Sequence, residues 1–285
     1  MCRWLAYSGA PVSIERLLYS PVHSLIDQSL HSLEGAETTN GDGFGVGWYG
    51  DDAVPAIYHC IEPAWNDRNL REIGRHVKSR LVFAHIRASS GSPVQQTNCH
   101  PFRYEKWLWM HNGVVRDFES VKRDLMVEID PILYRYLEGS TDSETVFFLA
   151  LTYGLLDDPP GAVARAIGHV EDVGRRHGVQ HPFQGTIATT DGESTWAFRY
   201  SSERRSRTLY FSTAIDSLRR LYPDNEVFRE ADDETRLVVS EPLSSLEGAW
   251  NELPESSCGI VRPGADVLLP FAPVSPRRSM AAVSS

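Results

Sequence analysis

Four short segments carry residue types that could do chemistry. Cys2 follows Met1 directly, and Cys2-Arg3-Trp4-Leu5 runs straight into an apolar segment, so neither a signal peptide nor a disordered leader is expected. Removal of Met1 would leave a thiol and a free α-amine on one residue, a nucleophile with a base in hydrogen-bond reach. A free α-amine titrates near pH 8 and can take a proton at neutral pH. A cysteine thiol is already a few per cent thiolate there and needs little activation. Position alone favours a simpler role, a small buried hydrophobe in an N-terminal strand; what lies downstream reverses that preference.

In Ala84-His85-Ile86-Arg87-Ala88-Ser89-Ser90 a buried strand ends in an arginine and small hydroxyl residues. Arg87 is either half of a structural ion pair or a two-pronged clamp for a substrate carboxylate. His111-Asn112-Gly113 reads as a turn after a strand, or as an oxyanion hole in which the Asn112 amide and the Gly113 N–H both donate to developing negative charge. Ser140-Thr141-Asp142-Ser143-Glu144 has the form of a helix cap with acidic residues in the first turn; Asp142 would also suit a substrate ammonium group, and both readings hold if Thr141 caps while Asp142 faces a cleft. The glycines of Thr39-Asn40-Gly41-Asp42-Gly43-Phe44-Gly45-Val46-Gly47-Trp48 match a dinucleotide-binding spacing, but acidic, helix-breaking Asp51-Asp52-Ala53-Val54-Pro55 follows where that motif needs a helix. A glycine-rich hairpin strand is the better reading, with a close approach made beside the nucleophile. Cys99 and His100 are adjacent, so in a strand they point to opposite faces and pair poorly. His85, His100 and His111 lack the helical spacing of common zinc motifs; they read as buried hydrogen-bonding residues, and no metal or cofactor is called for.

The elements that must position these groups follow from periodicity. Residues 43–49, 81–86 and 107–111 read as strands, the last stopped by Asn112-Gly113. Ser13, Asn66 or Asp67, Asp117 and Thr141 read as helix starts, the last with a capping box. Val163, Ile167, Val170 and Gly174 continue a helical pattern that Gly178 ends. Segments 185–190, 194–200, 208–213, 235–240 and 258–262 read as strands. Strands first, helices in the middle and strands last are not the alternation of a parallel α/β fold; they predict an α+β fold of antiparallel sheets with helices outside.

Composition excludes several classes. The 285 residues are 41% hydrophobic and 23% charged, an ordinary globular balance, with a net charge of −10 and no basic run. Nucleic acid and anionic membrane surfaces are therefore poor partners, and no stretch reaches the roughly eighteen apolar residues of a membrane span. Four scattered cysteines without a CxxC pair fit a reducing, cytoplasmic setting. The expected organisation is one domain over 1–273, with 274–285 a disordered tail of small and polar residues.

Taken together, the N-terminal Cys, Asn-Gly-Asp-Gly-Phe-Gly (40–45), Ala-His-Ile-Arg (84–87), Thr-Asn-Cys-His-Pro-Phe (97–102), His-Asn-Gly (111–113) and Thr-Asp-Ser-Glu (141–144) occur in an order that resembles the class II glutamine amidotransferases, members of the N-terminal nucleophile hydrolases. Val239-Ser240-Glu241-Pro242-Leu243 and Trp250 fit the same group. Ser20-Pro21-Val22-His23-Ser24-Leu25 and Glu62-Pro63-Ala64-Trp65-Asn66 resemble its short, stand-alone branch. That branch includes the amidotransferase-like subunit of a fungal glutathione-degrading complex and, more distantly, the γ-glutamyl hydrolase of ergothioneine synthesis. The resemblance implies a four-layer αββα sandwich. It makes Cys2 the nucleophile and its α-amine the base, gives Arg87 the α-carboxylate and Asp142 the α-ammonium of a γ-glutamyl substrate, and makes Asn112 and Gly113 the oxyanion hole.

The leading expectation is a glutamine amidohydrolase that releases glutamate and ammonia through a Cys2 thioester. The chain has no room for a second catalytic domain, so any amide transfer needs an acceptor or peptidase partner protein. Cleavage of a larger γ-glutamyl amide, such as glutathione or a biosynthetic intermediate, uses the same clamp. A catalytically silent binding subunit and a thiol enzyme built on Cys99 are the further alternatives.

Overall fold

Alternation along the first strand sets the architecture. β1 (Arg3–Ser13) turns Trp4 and Ala6 to one side and Leu5 and Tyr7 to the other, and all four are buried, so both faces of its sheet are covered. The computed structural model describes residues 2–31, 39–89, 91–221, 223, 231–264 and 266–276. After β1 come α1 (Ile14–Leu18), α2 (Leu25–Leu30), β2 (Phe44–Trp48), β3 (Ala56–Cys60), α3 (Arg68–His76) and β4 (Lys78–Ile86). β5 (Phe102–Tyr104) and β6 (Trp107–Val115) lead into α4 (Phe118–Met126), α5 (Pro131–Tyr134), α6 (Asp142–Thr152) and α7 (Pro159–Arg176). The last part holds β7 (Phe183–Thr190), β8 (Thr195–Ser201), β9 (Tyr210–Ser212), α8 (Ile215–Leu221), β10 (Arg236–Val239), β11 (Trp250–Glu252), β12 (Ser257–Val261) and β13 (Val267–Pro270).

The strands form a seven-stranded sheet ordered β11-β9-β10-β1-β4-β2-β3 and a six-stranded sheet ordered β13-β12-β8-β7-β6-β5. The pairings in both are antiparallel. Trp4, Ala6, Phe83, Leu108, Met110 and Ala188 pack between the sheets. Leu5, Tyr7, Val82 and Ala84 face outward onto Ile14, Leu17 and Leu70 of the first helical layer. Trp109, Ile187 and Phe198 face outward onto Phe147, Val163 and Ile167 of the second. The result is the four-layer αββα sandwich that the motifs imply. Among the described residues no helix is long and apolar enough to cross a membrane.

Helix starts follow the side chains expected of them. Ser13 accepts from Arg16 N, Asp67 from Leu70 N and Thr141 from Glu144 N, each satisfying one of the unpaired first-turn donors. Two starts differ from expectation. Asp117 sits in the left-handed region (φ 54°) and caps nothing with its side chain. The capping box at Thr141 is half closed, because the Glu144 carboxylate turns to Glu138 N and Gly139 N instead.

Asn112-Gly113 does not stop β6, which runs on to Val115 because β7 pairs with it through Val115↔Phe183. The glycine-rich segment that leads into and through β2 does meet a close neighbour. A Cβ at Gly43 would lie 2.9 Å from Cys99 Sγ, and one at Gly45 would lie 2.2 Å from His100 O. The approach is made by the 99–101 segment as it crosses between the sheets. Strands β3, β5, β11 and β13 carry no strong periodicity and were not expected. Val274 N donates to Ala164 O at 3.0 Å, holding the chain on α7; residues 277–285 of the expected tail lie outside the described residues.

Candidate active site

Period-two alternation brings three of the expected residues to one place. The face that turns Trp4 and Ala6 between the sheets also turns Cys2 there, and in the same way Phe83 and His85 are followed by Arg87, and Leu108 and Met110 by Asn112. The β1–β4 register ends at Arg3↔Ile86, so Cys2 lies one step further, opposite Arg87. Cys2 is half-buried. Its Sγ rests on the backbone of the next residue, 3.4 Å from Ala88 N, which donates to it, and 3.5 Å from Ala88 O. From the other sheet, Asn112 Nδ2 donates to Cys2 O at 2.8 Å.

Arg87 is only 3% exposed. Its Nη2 donates to Ser92 Oγ (2.7 Å), Pro93 O (3.0 Å) and Ser89 Oγ (3.2 Å), and its Nη1 to Asp42 O (3.4 Å). These acceptors are neutral, and among the described residues no carboxylate forms an ion pair with it. A buried guanidinium without a counter-charge is costly. Asp42, which sequence reasoning did not single out, shapes the loop around it. The Asp42 carboxylate accepts from Ser89 N at 2.7 Å and its own N–H donates to Arg87 O. Its place in the glycine-rich run was the available signal.

The backbone of β6 supplies the remaining groups. Arg116 N donates to Pro182 O at 2.8 Å, which fixes the alternation along β6. Residues 112, 114 and 116 turn their peptide groups to β7, while 111, 113 and 115 turn theirs the other way. On that other side β5 pairs only as far as Phe102↔Trp109, so the edge beyond is open. The Val115 N–H on this edge is taken by Asp142 Oδ2 at 2.7 Å, and the Gly113 N–H faces the same edge two residues, about 7 Å, away. Asp142 is thereby brought to the edge of β6 that the Gly113 N–H also faces. It is the first residue of α6, and its Oδ1 also accepts from Ser143 N and Ser143 Oγ. On the outer face of β6, His111 Nδ1 lies 2.9 Å from Ser143 Oγ. The imidazole covers Gly113 and Gly185, where a Cβ would come within 2.4 Å of its Nε2. Burial holds its pKa down to about 4, with Asp142 opposing, so it stays neutral.

Other candidates fall outside this constellation. Cys99 is fully buried, its Sγ touches the carbonyls of Cys60 and Gln95 rather than His100, and burial pushes its pKa to about 11, the opposite of an activated thiol. His85 and His100 pack with ring centroids 4.3 Å apart and planes tilted by 34°, and burial lowers both pKa values. Among the described residues no group of three or more His, Cys, Asp or Glu could hold a metal ion. A cleft of about 540 Å³ opens nearby, lined by Gln96, Tyr104, Tyr136 and Glu144, but none of Cys2, Arg87, Asn112 or Asp142 lines it.

Residues 20–282 match the family model described as glutamine amidotransferases class-II. The chain belongs to this family. Class II glutamine amidotransferases are enzymes, and similarity to members of the family extends over nearly all of the chain. It is 33% identical over 301 residues to the probable glutamine amidotransferase DUG3 of Saccharomyces cerevisiae, covering 95% of this chain and 84% of the relative. It is 29% identical over 201 residues to the gamma-glutamyl-hercynylcysteine sulfoxide hydrolase of Mycolicibacterium smegmatis, covering 68% and 81%. A glutamine aminotransferase class-II domain protein from Silicibacter pomeroyi superposes with a TM-score of 0.73 at 32% identity, over 96% of this chain and 100% of that one. The glutamine PRPP amidotransferase of B. subtilis shares the fold, with a TM-score of 0.59 at 13% identity.

Proposed function

We propose that this amidotransferase-family enzyme hydrolyses the γ-amide of glutamine through a thioester on Cys2, releasing glutamate and ammonia. The observation that carries the reading is the Arg87 guanidinium, buried one cross-strand step from Cys2 and without a carboxylate partner among the described residues. Such a group suits a substrate that brings its own carboxylate. Asp142 then takes the α-ammonium, and the roughly 7 Å of strand between its anchor at Val115 and the Gly113 N–H suits the three-carbon reach of a glutamyl group.

Once Met1 is removed, the Cys2 α-amine takes the thiol proton and Sγ attacks the γ-carbonyl carbon. The new oxyanion is held by the Gly113 N–H and by the second N–H of the Asn112 amide, the first being engaged on Cys2 O. The tetrahedral intermediate collapses as the α-ammonium returns a proton to the leaving ammonia. Water, deprotonated by the same amine, attacks the thioester, and the thiol and glutamate separate. A larger γ-glutamyl amide would follow the same course with an amine as leaving group. The likeness to a hydrolase named for a gamma-glutamyl substrate supports that second reading. In either case a released amine or ammonia that is used further goes to a separate acceptor protein.

The test is intact mass before and after a glutamine-shaped electrophile, followed by parallel turnover of glutamine and glutathione. Loss of the Met1 mass and one adduct on Cys2 is expected. A retained Met1 with no adduct and no turnover overturns the reading in favour of a silent subunit.

A further inference from the structure

Two segments singled out in the sequence, Ser20 to Leu25 and Val239 to Leu243, have no part in the mechanism above, yet both converge on Cys2. Arg3 lies on the outer face of β1, and its side chain doubles back so that Nη1 donates to Cys2 O at 3.0 Å. Its Nε donates to Glu241 Oε2 at 2.7 Å, and both side chains are 2% exposed. The other Glu241 oxygen lies 2.5 Å from His23 Nε2, and His23 Nδ1 lies 3.0 Å from Asp27 Oδ2 on α2. Beside this chain of contacts, Ser240 clasps the next residue of β1, with Trp4 N donating to Ser240 Oγ at 3.0 Å and Ser240 N to Trp4 O at 3.1 Å.

We propose that Glu241 and His23 are positioning residues for the nucleophile, acting through Arg3. This rests on the reading of Cys2 as the nucleophile. The mature Cys2 is the first residue of its chain, and first residues fray unless tied down. Its carbonyl oxygen is held from the inner side by Asn112 and from the outer side by Arg3, at 2.8 and 3.0 Å. A carbonyl pinned from two sides fixes the Cα, and with it the directions of both thiol and amine. Glu241 is the rigid anchor, because a buried guanidinium keeps one orientation only while its counter-charge is held, and His23 holds that counter-charge from the other side. Misplacing a reacting group by about 1 Å costs about a hundredfold in rate.

The experiment compares Arg3→Lys, His23→Gln and Glu241→Gln with the parent, after Met1 removal is verified by mass. It measures kcat and KM for glutamine, the rate of Cys2 labelling by a glutamine-shaped electrophile, and thermal unfolding. His23 is partly accessible and its replacement spares the buried ion pair, so this variant stays informative if Glu241→Gln does not fold. The expected result is a kcat and labelling rate lowered roughly 10–100-fold, with KM within about twofold and His23→Gln melting near the parent. His23→Gln and Arg3→Lys that keep the parental kcat would overturn the inference while leaving the nucleophile assignment standing. A parent that neither turns over glutamine nor labels at Cys2 would instead remove the functional reading on which it rests.

Discussion

Asn112 lies on β6 of one sheet and Cys2 immediately precedes β1 of the other, and the Asn112 side-chain amide donates to the Cys2 carbonyl oxygen across the layer between them at 2.8 Å. The contact ties the Cys2 backbone to the strand whose open edge presents the Gly113 N–H. It also leaves the second Asn112 N–H for the oxyanion of the proposed mechanism. Replacement by alanine removes both functions without adding bulk. Asn112→Ala is expected to lower kcat for glutamine by about 10²–10³-fold, with a much smaller change in KM. A steady-state assay beside a melting curve checks this, and a kcat within threefold of the parent would show that the oxyanion is stabilised elsewhere.

Arg87 offers a different signature. Its neutral acceptors, Asp42 O, Ser89 Oγ, Ser92 O, Ser92 Oγ and Pro93 O, hold the fork in place, and a lysine would carry the charge without the planar pair of donors. Arg87→Lys is expected to raise KM for glutamine by roughly 10–100-fold. γ-Amides that lack the α-carboxylate should be poor substrates for the parent and lose nothing further in the variant. Equal losses on both substrates would place Arg87 in the framework of the site and not in the clamp.

The parts of this site that could be read from the sequence are those fixed by local rules. Cys2, Arg87 and Asn112 occupy the inward positions of strands whose alternation is plain in Trp4, Phe83 and Met110, and Thr141 caps α6 as its hydroxyl predicts. What escaped the reading depends on partners far along the chain. Asn-Gly usually ends a strand, but β6 continues because β7, some seventy residues later, supplies Gly185 opposite Gly113. The glycines of β2 signal a close neighbour, but which segment supplies it, residues 99–101, is not encoded locally. The Arg3–Glu241 pair joins residues 238 positions apart, and no periodicity encodes such a meeting.

Gly185 gives a test of the packing that keeps β6 in place. A Cβ there would lie 2.4 Å from His111 Nε2 and 2.8 Å from His111 Cδ2, in a ring that also stacks on Phe183. The ring cannot swing away without losing Ser143. Gly185→Ala is therefore expected to destabilise the fold by about 1–3 kcal/mol, read as a lower urea midpoint at unchanged slope. Adding His111→Ala should recover part of the loss, since the two changes share one contact. An unchanged midpoint in the single variant would mean that His111 does not cover the strand.

The half-buried His59 and the buried His85 and His111 make the fold sensitive to acid. Burial lowers the pKa of His59 to about 4, of His85 to about 3 and of His111 to about 4. In the unfolded chain each titrates near 6.5. Between these values the unfolded state binds protons that the native state refuses, so stability rises with pH across this window. The contribution is complete above about pH 6.5 and is lost progressively as the pH falls toward 4. The urea midpoint is therefore expected to decline steadily from pH 6.5 downward, before most carboxylates begin to protonate. His59 Nε2 lies 3.1 Å from Pro101 O, a bond that a glutamine amide can donate as well. His59→Gln should keep the fold and reduce the slope by about one proton in this window. A midpoint that stays level from pH 7 to pH 5 would mean that these rings are hydrated and titrate as they do in water.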